Sequence, residues 1–134
     1  MVIDTSAIIA ILREEAEAAD FARAIEDAPR RYLSAATLVE CAIVVEARAG
    51  AAGAAALDVL LGESAIEVVS LTSVHAAFAR DAFRHFGRGR HPAALNYGDC
   101  FSYALAKSLG EPLLFKGEDF SRTDIESVRP TPRF

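Results

Sequence analysis

Met1-Val2-Ile3-Asp4-Thr5-Ser6-Ala7-Ile8-Ile9-Ala10-Ile11-Leu12 opens the chain, and this stretch decides the fold. Val2-Ile3 reads as a buried strand, too short for periodicity alone to establish. Asp4 ends it, and Thr5 through Leu12 read as a helix. A short apolar run, a polar residue and then a helix is the unit of an α/β protein, and the question is whether it recurs.

It does. A second helix is expected from Glu15 to Asp27, broken by Pro29 and by Arg30-Arg31, with Tyr32-Leu33-Ser34 as the next strand. An Ala/Val/Ile-rich helix follows from Thr37 to Arg48 and ends near Gly50, as helix C-termini commonly do. Ala51 to Leu61 gives another, stopped by Gly62. Ile66-Glu67-Val68-Val69-Ser70-Leu71 is β-branched and bounded by turn residues, the clearest strand in the chain. Val74 to Phe86 is helical, whereas two glycines and a proline exclude helix from Gly87-Arg88-Gly89-Arg90-His91-Pro92. Tyr97 to Leu109 returns to helix and ends at Gly110, Leu113-Leu114-Phe115 is an apolar strand, and the tail from Ser127 fits a short edge strand. No repeat, low-complexity tract or linker interrupts residues 1–134, so one domain is expected.

Strands separated by helices of this length imply right-handed crossovers. The expected architecture is α/β, a three-layer sandwich with a mainly parallel central sheet flanked by helices. Ligands of such folds sit at the carboxyl ends of the strands, near the switch in strand order.

At 134 residues, 52% hydrophobic and 25% charged, the chain has an ordinary globular balance and enough length for one proper core. No apolar stretch approaches the roughly 18 residues of a membrane span, and no leader pattern opens the sequence, so a cytoplasmic address without membrane contact is expected. Cys41 and Cys100 have no metal-ligand or redox spacing and are most simply buried small hydrophobes. The formal net charge of −5 argues at first against a nucleic-acid partner. Dications bound at an acidic cluster would cancel most of it, so net charge decides little.

Four acids carry the chemistry. Asp4 ends the first strand, although Asp4-Thr5-Ser6 equally suits a helix N-cap. Glu40 has Ile43, Val44 and Ala47 on its helical face, an environment that a carboxylate tolerates only when paired or bound, although Thr37-x-x-Glu40 also matches a capping box. Asp99 leads into the apolar helix Cys100-Phe101-Ser102-Tyr103-Ala104-Leu105-Ala106, and Asn96-x-x-Asp99 again has a capping alternative. Asp119 lies just past the strand at Leu113, with Asp124 competing for its role. Each acid alone has a structural explanation, yet all are expected on one edge of one sheet. Clustered carboxylates repel one another and rise in pKa. A hard dication with oxygen ligands removes that conflict, and in the absence of a Cys/His set Mg²⁺ or Mn²⁺ is the reasonable choice.

At these residues the sequence resembles the PIN-domain nucleases, specifically the VapC-type toxins of bacterial toxin–antitoxin pairs. The resemblance covers essentially the whole chain. Its carriers are Val2-Ile3-Asp4-Thr5-Ser6-Ala7, Glu40, Asn96-Tyr97-Gly98-Asp99-Cys100, and Pro112-Leu113-Leu114-Phe115-Lys116-Gly117-Glu118-Asp119-Phe120. It implies catalytic roles for Asp4, Glu40, Asp99 and Asp119, with Asp4 and Asp99 as direct metal ligands and Ser6 as a hydroxyl that orients the acids. Many relatives have Thr-x-Asp ahead of the last acid, where this chain has Phe115-Lys116-Gly117. The implied reaction is hydrolysis of RNA phosphodiester bonds by metal-activated water, with Mg²⁺ or Mn²⁺ as cofactor. Implied partners are the RNA substrate, a cognate antitoxin whose segment occupies the acidic groove, and a second copy of the chain in a homodimer.

Arg84, Arg88, Arg90 and Lys116 form, with Arg80, His85, His91 and Lys107, either a solvated surface or a strip meeting the RNA backbone. The Ala-rich helices from Thr37 to Leu61 hold more small apolar residues than one core requires, which suits a partner surface. Two other functions compete. A Mg²⁺-dependent phosphohydrolase is weakened because Thr5-Ser6 supplies no second acid two positions after Asp4. A non-catalytic partner-binding domain would use the same acids merely as helix caps.

Overall fold

A computed structural model of the chain describes residues 1–130; residues 131–134, which the single-domain expectation includes, lie outside the described residues. Four parallel strands form one sheet in the order β3-β2-β1-β4. They are β1 (Val2–Ile3), β2 (Tyr32–Ser34), β3 (Glu67–Val69) and β4 (Leu113–Leu114), and five helices connect them. The helices are α1 (Thr5–Leu12), α2 (Ala18–Asp27), α3 (Ala35–Glu63), α4 (Ser73–Phe86) and α5 (Tyr97–Leu109).

Strand pleating explains the layers. Successive strand residues face opposite sides, so Val2, Tyr32 and Leu113 enter a core shared with α4 and α5, among Leu95, Tyr103 and Leu105. Ile3, Leu33 and Leu114 enter the other core with Ile8, Phe21 and Leu57 from α1, α2 and α3. The sheet thus lies between two helical layers, as expected from the sequence. The chain runs outward from β1 to β2 to β3, then returns to the free side of β1 for β4. The switch in strand order therefore falls at β1, whose carboxyl end carries Asp4.

Several boundaries differ from the sequence expectation, each for a local reason. The second helix begins at Ala18 rather than Glu15, because Arg13 to Glu15 close α1: Glu14 takes a φ of 52°, and the Glu15 N–H donates to Ala10 O at 2.9 Å. The two expected helices around Gly50 are joined as α3, with Gly50 (φ 60°, ψ −148°) as a kink between them. β3 is shorter than 66–71, since an edge strand has one neighbour and its register ends with Ser34 opposite Val69. The anticipated edge strand at Ser127 is a single parallel bridge to Leu113. No helix among the described residues is long and apolar enough to cross a membrane.

Candidate active site

Asp4 is 4% exposed and hydrogen-bonded through both oxygens. As the N-cap of α1, its Oδ2 accepts from the Ser6 N–H at 3.1 Å and from the Ser6 hydroxyl at 2.7 Å. Its Oδ1 accepts from the Ser102 hydroxyl on α5 at 2.6 Å. Three donors around a buried carboxylate fix its orientation. The capping and functional readings of Asp4 are therefore compatible. The Ser6 hydroxyl also accepts from the backbone N–H of Lys116 at 2.9 Å, which ties the loop after β4 to the end of β1. Because that bond uses backbone, the departure at Phe115-Lys116-Gly117 leaves it intact.

Asp99 stands in the first turn of α5 and completes a capping box. The Asn96 N–H donates to Asp99 Oδ2 at 2.9 Å, and the Asp99 N–H donates to Asn96 Oδ1 at 2.9 Å. Its carboxyl is nevertheless pushed up to about 7. Burial is the main cause; the Asn96 N–H opposes it, and the negative charges of Asp4, Asp119 and Glu40 add to the rise. The four sequence-selected acids thus share one electrostatic environment.

Glu40 reaches the same place by a route that differs from its capping alternative. Ser34, not Thr37, caps α3, and Thr37 is fully buried with its hydroxyl 3.4 Å from that of Ser102. Glu40 projects from the second turn of α3, where its Oε1 accepts from the Thr5 hydroxyl at 2.6 Å. The expected apolar surroundings are only partly met, because Ile43 one turn on is 62% exposed.

Asp119 is exposed at the start of a 3₁₀ turn, Phe120–Arg122, without a side-chain capping bond. Its competitor Asp124 is committed elsewhere: it accepts from the Tyr103 hydroxyl at 2.6 Å and from Lys107 Nζ at 2.5 Å. Burial would raise the Asp124 carboxyl, but Lys107 and Tyr103 outweigh it and hold it below its usual range. Among the described residues, none of Asp4, Glu40, Asp99 and Asp119 has a cationic partner at ion-pair distance.

The basic residues are dispersed. Lys116 is held by Glu15 at 2.8 Å and Glu17 at 3.2 Å, and Arg84 by Asp81 at 2.8 Å. Arg88 and Arg90 are exposed on the loop leading into α5 and have no carboxylate partner among the described residues, although Arg90 lies over the Phe83 ring. Cys41 and Cys100 are buried free thiols. Burial pushes them up to about 12 and about 11, with nearby carboxylates adding to the rise, so both are poor nucleophiles.

Thr5 and Gly98 lie inside the motif stretches at residues 2–7 and 96–100, but the sequence pattern assigns no role to either of them or to Ser102. Ser102 has a faint signal, a hydroxyl inside an otherwise apolar helix. As they stand, no three Asp, Glu, His or Cys side chains among the described residues close around an ion-sized space. The chemistry of the donor set still suits a hard dication. The donors are oxygen only, they lack counter-cations among the described residues, and Mg²⁺ keeps several of its own waters rather than requiring a complete protein cage.

A parallel sheet with its acids at the β1 switch point defines a class, and comparison with known proteins agrees: the PIN-domain family model matches residues 1–126. The chain belongs to the PIN-domain family. Within it, the chain is 52% identical over 128 residues to Ribonuclease VapC30 of Mycobacterium tuberculosis, covering 96% of this chain and 98% of that one. It is 51% identical to Ribonuclease VapC of Mycolicibacterium smegmatis, covering 96% and 99%. Among solved structures, Mycobacterium tuberculosis VapC20, a sarcin-ricin loop cleaving toxin, superposes with a TM-score of 0.76 at 21% identity, covering 96% and 98%. A toxin–antitoxin complex from Klebsiella pneumoniae gives 0.71 at 15% identity, covering 97% of each chain. The chain is thus a PIN-domain protein of the VapC group.

Proposed function

We propose that this chain is a divalent-metal-dependent endoribonuclease, the toxin of a toxin–antitoxin pair, acting in the cytoplasm. The observation that carries the reading is that Asp4, Glu40 and Asp119 all act on the charge of Asp99 near the β1 switch point, with no cationic partner for any of the four among the described residues. A protein gains nothing in stability from gathering unpaired carboxylates, and perturbed groups clustered at a strand edge are a functional signature. RNA as substrate is supported by the VapC relatives, which are named ribonucleases.

Asp4 and Asp99 would hold Mg²⁺ or Mn²⁺, with Glu40 and Asp119 beside them. A bound dication supplies the positive charge and the acidity toward water that phosphodiester hydrolysis needs. The rest falls to this chain's own residues. Ser6 and Ser102 keep Asp4 oriented, Thr5 holds Glu40, and Asn96 fixes Asp99 at the helix start. Arg88 and Arg90 supply positive charge for the RNA backbone, whereas Lys116 serves to bind Glu15 and Glu17.

Two apolar grooves would suit the partners. Val39, Ile43, Leu71 and Tyr97 are exposed apolar residues around a groove of about 450 Å³ that reaches Glu40 and Gly98, which supports a homodimer contact. A second groove of about 290 Å³ between α1 and the kinked α3, lined by Ile9, Leu12, Val44, Arg48, Ala52 and Ala56, supports an antitoxin segment. The solved toxin–antitoxin complexes of this fold support such a partner.

The test is cleavage of RNA with Mg²⁺, with EDTA and by Asp99→Asn. Cleavage is expected in the first case and absent in the other two, and a generic phosphomonoester should not turn over. Cleavage that survives both EDTA and the substitution would sink the proposal.

A further inference from the structure

Gly98 stands in the first turn of α5, one residue before Asp99, at a position where glycine is a weak choice. Its φ is not in the left-handed region, so nothing in the backbone demands glycine. On helix propensity alone, alanine would be the better residue. The reason for glycine lies across the site. A Cβ built on Gly98 would stand 1.8 Å from Glu40 Oε2, 2.6 Å from Cδ and 2.8 Å from Oε1. All three nearest atoms belong to one carboxylate, and none is backbone. The Glu40 carboxyl therefore rests where a side chain at residue 98 would be.

That carboxylate is also held by a hydrogen bond, since the Thr5 hydroxyl donates to Oε1 at 2.6 Å. Glu40 is thus held between the first turn of α1, next to Asp4, and the first turn of α5, next to Asp99. Its own helix contributes the stem alone. Gly98 removes a methyl group that would drive the carboxylate out, and Thr5 holds Oε1, while Oε2 lies nearest the space that methyl would take.

We infer that Gly98 is a positioning residue: its missing side chain is the seat that brings the Glu40 carboxylate alongside Asp99. The activity part of this inference rests on the proposed nuclease function; the seat itself does not. Because the clashing atoms are the end of a flexible side chain, Gly98→Ala is expected to fold, and the displaced group is Glu40.

The experiment is a double-mutant cycle on the full chain: wild type, Gly98→Ala, Glu40→Ala and the double variant. RNA cleavage with Mg²⁺ and melting temperature in EDTA are measured for each. Gly98→Ala is expected to lower cleavage by about 10- to 100-fold, the usual effect of misplacing a partner of a metal site. In the Glu40→Ala background the same change should have no further effect on cleavage. Melting temperature should show the converse. With the carboxylate gone, Gly98→Ala should raise it by the full gain in helix propensity; with Glu40 present, the rise should be smaller or reversed. Unchanged cleavage by Gly98→Ala, or an equal loss in both backgrounds, would overturn the positioning role. Equal shifts in melting temperature in both backgrounds would overturn the seat itself. If wild type cleaves no RNA, the nuclease proposal fails, while the melting cycle still decides the seat.

Discussion

Carboxylates near the first turn of α5 and further along it obey opposite electrostatic rules. At its N-terminal turn, Asp99 meets Asp4, Glu40 and Asp119, and burial with like charge pushes its carboxyl up to about 7. Further along the helix, Asp124 meets Lys107 and Tyr103, which hold it below its usual range against the effect of burial. The loop after β4 repeats the second pattern, with Lys116 between Glu15 and Glu17. Paired acids stabilise the fold in the way surface ion pairs do, modestly. Around Asp99, burial and like charge oppose ionisation, so the two places differ in whether, among the described residues, a cation stands beside the carboxylate.

The largest effect expected from breaking this contrast is at Asp99. Asp99→Asn should abolish RNA cleavage, with a loss of at least about 100-fold, because it removes a proposed metal ligand. The same substitution should stabilise the metal-free protein at pH 8, raising the melting temperature by about 5 °C, since the neutral amide keeps the capping geometry without the charge. A simple structural role predicts the opposite sign, so a melting curve in EDTA distinguishes the two.

The pH dependence follows from the same groups. A carboxyl raised in the folded state binds its proton more readily there than in the unfolded chain. Metal-free stability should therefore rise as pH falls from about 7 toward about 4, and Asp99→Asn should flatten that slope. Asp124, depressed in the folded state, acts in the other direction: its contribution is complete above the unfolded value and lost as pH falls below it. Thermal stabilisation by Mn²⁺ should accordingly be larger at pH 8 than at pH 6, because the metal and the proton compete for Asp99.

Ser102→Ala should have an intermediate effect. It leaves Asp4 Oδ1 without its donor in a buried setting, at a stability cost of about 1–3 kcal/mol. Cleavage should fall by roughly 10-fold, and Ser102→Thr should restore part of both. Urea unfolding beside an activity assay checks the pair of effects.

Asp124→Asn is expected to have the smallest effect. Cleavage should be unchanged within error, and the loss of a half-exposed ion pair should cost less than about 1 kcal/mol. A loss of cleavage comparable to that of Asp99→Asn would erase the distinction between the two groups of acids.

Much of the fold was legible from local chemistry. The apolar pairs Val2-Ile3 and Leu113-Leu114, the helix stop at Gly110 and the break at Pro29 all act over a few residues, so the element order could be read directly, although the stop expected at Gly62 falls after Glu63. Asp4 could be placed for a related reason, since in a parallel sheet a residue just past a strand falls on the ligand-bearing edge, whereas Asp99 follows no strand and stands in the first turn of α5. Glu40 was harder to judge, because the capping box that competed with it was settled by Ser34 taking the cap and burying Thr37 inside α3.

Sequence by itself therefore determined that β-strands and helices alternate, that acids follow the strands, and that the chain carries the PIN-domain pattern. Tertiary structure alone decided which acids remain without cations. Lys107 reaches Asp124 and Lys116 reaches Glu15 and Glu17, while Ser102, 98 positions away in sequence, reaches Asp4. It also decided that a glycine in a helix leaves room for Glu40. Periodicity and capping are set by neighbours along the chain, whereas charge compensation and side-chain clearance depend on distances through space that folding alone creates.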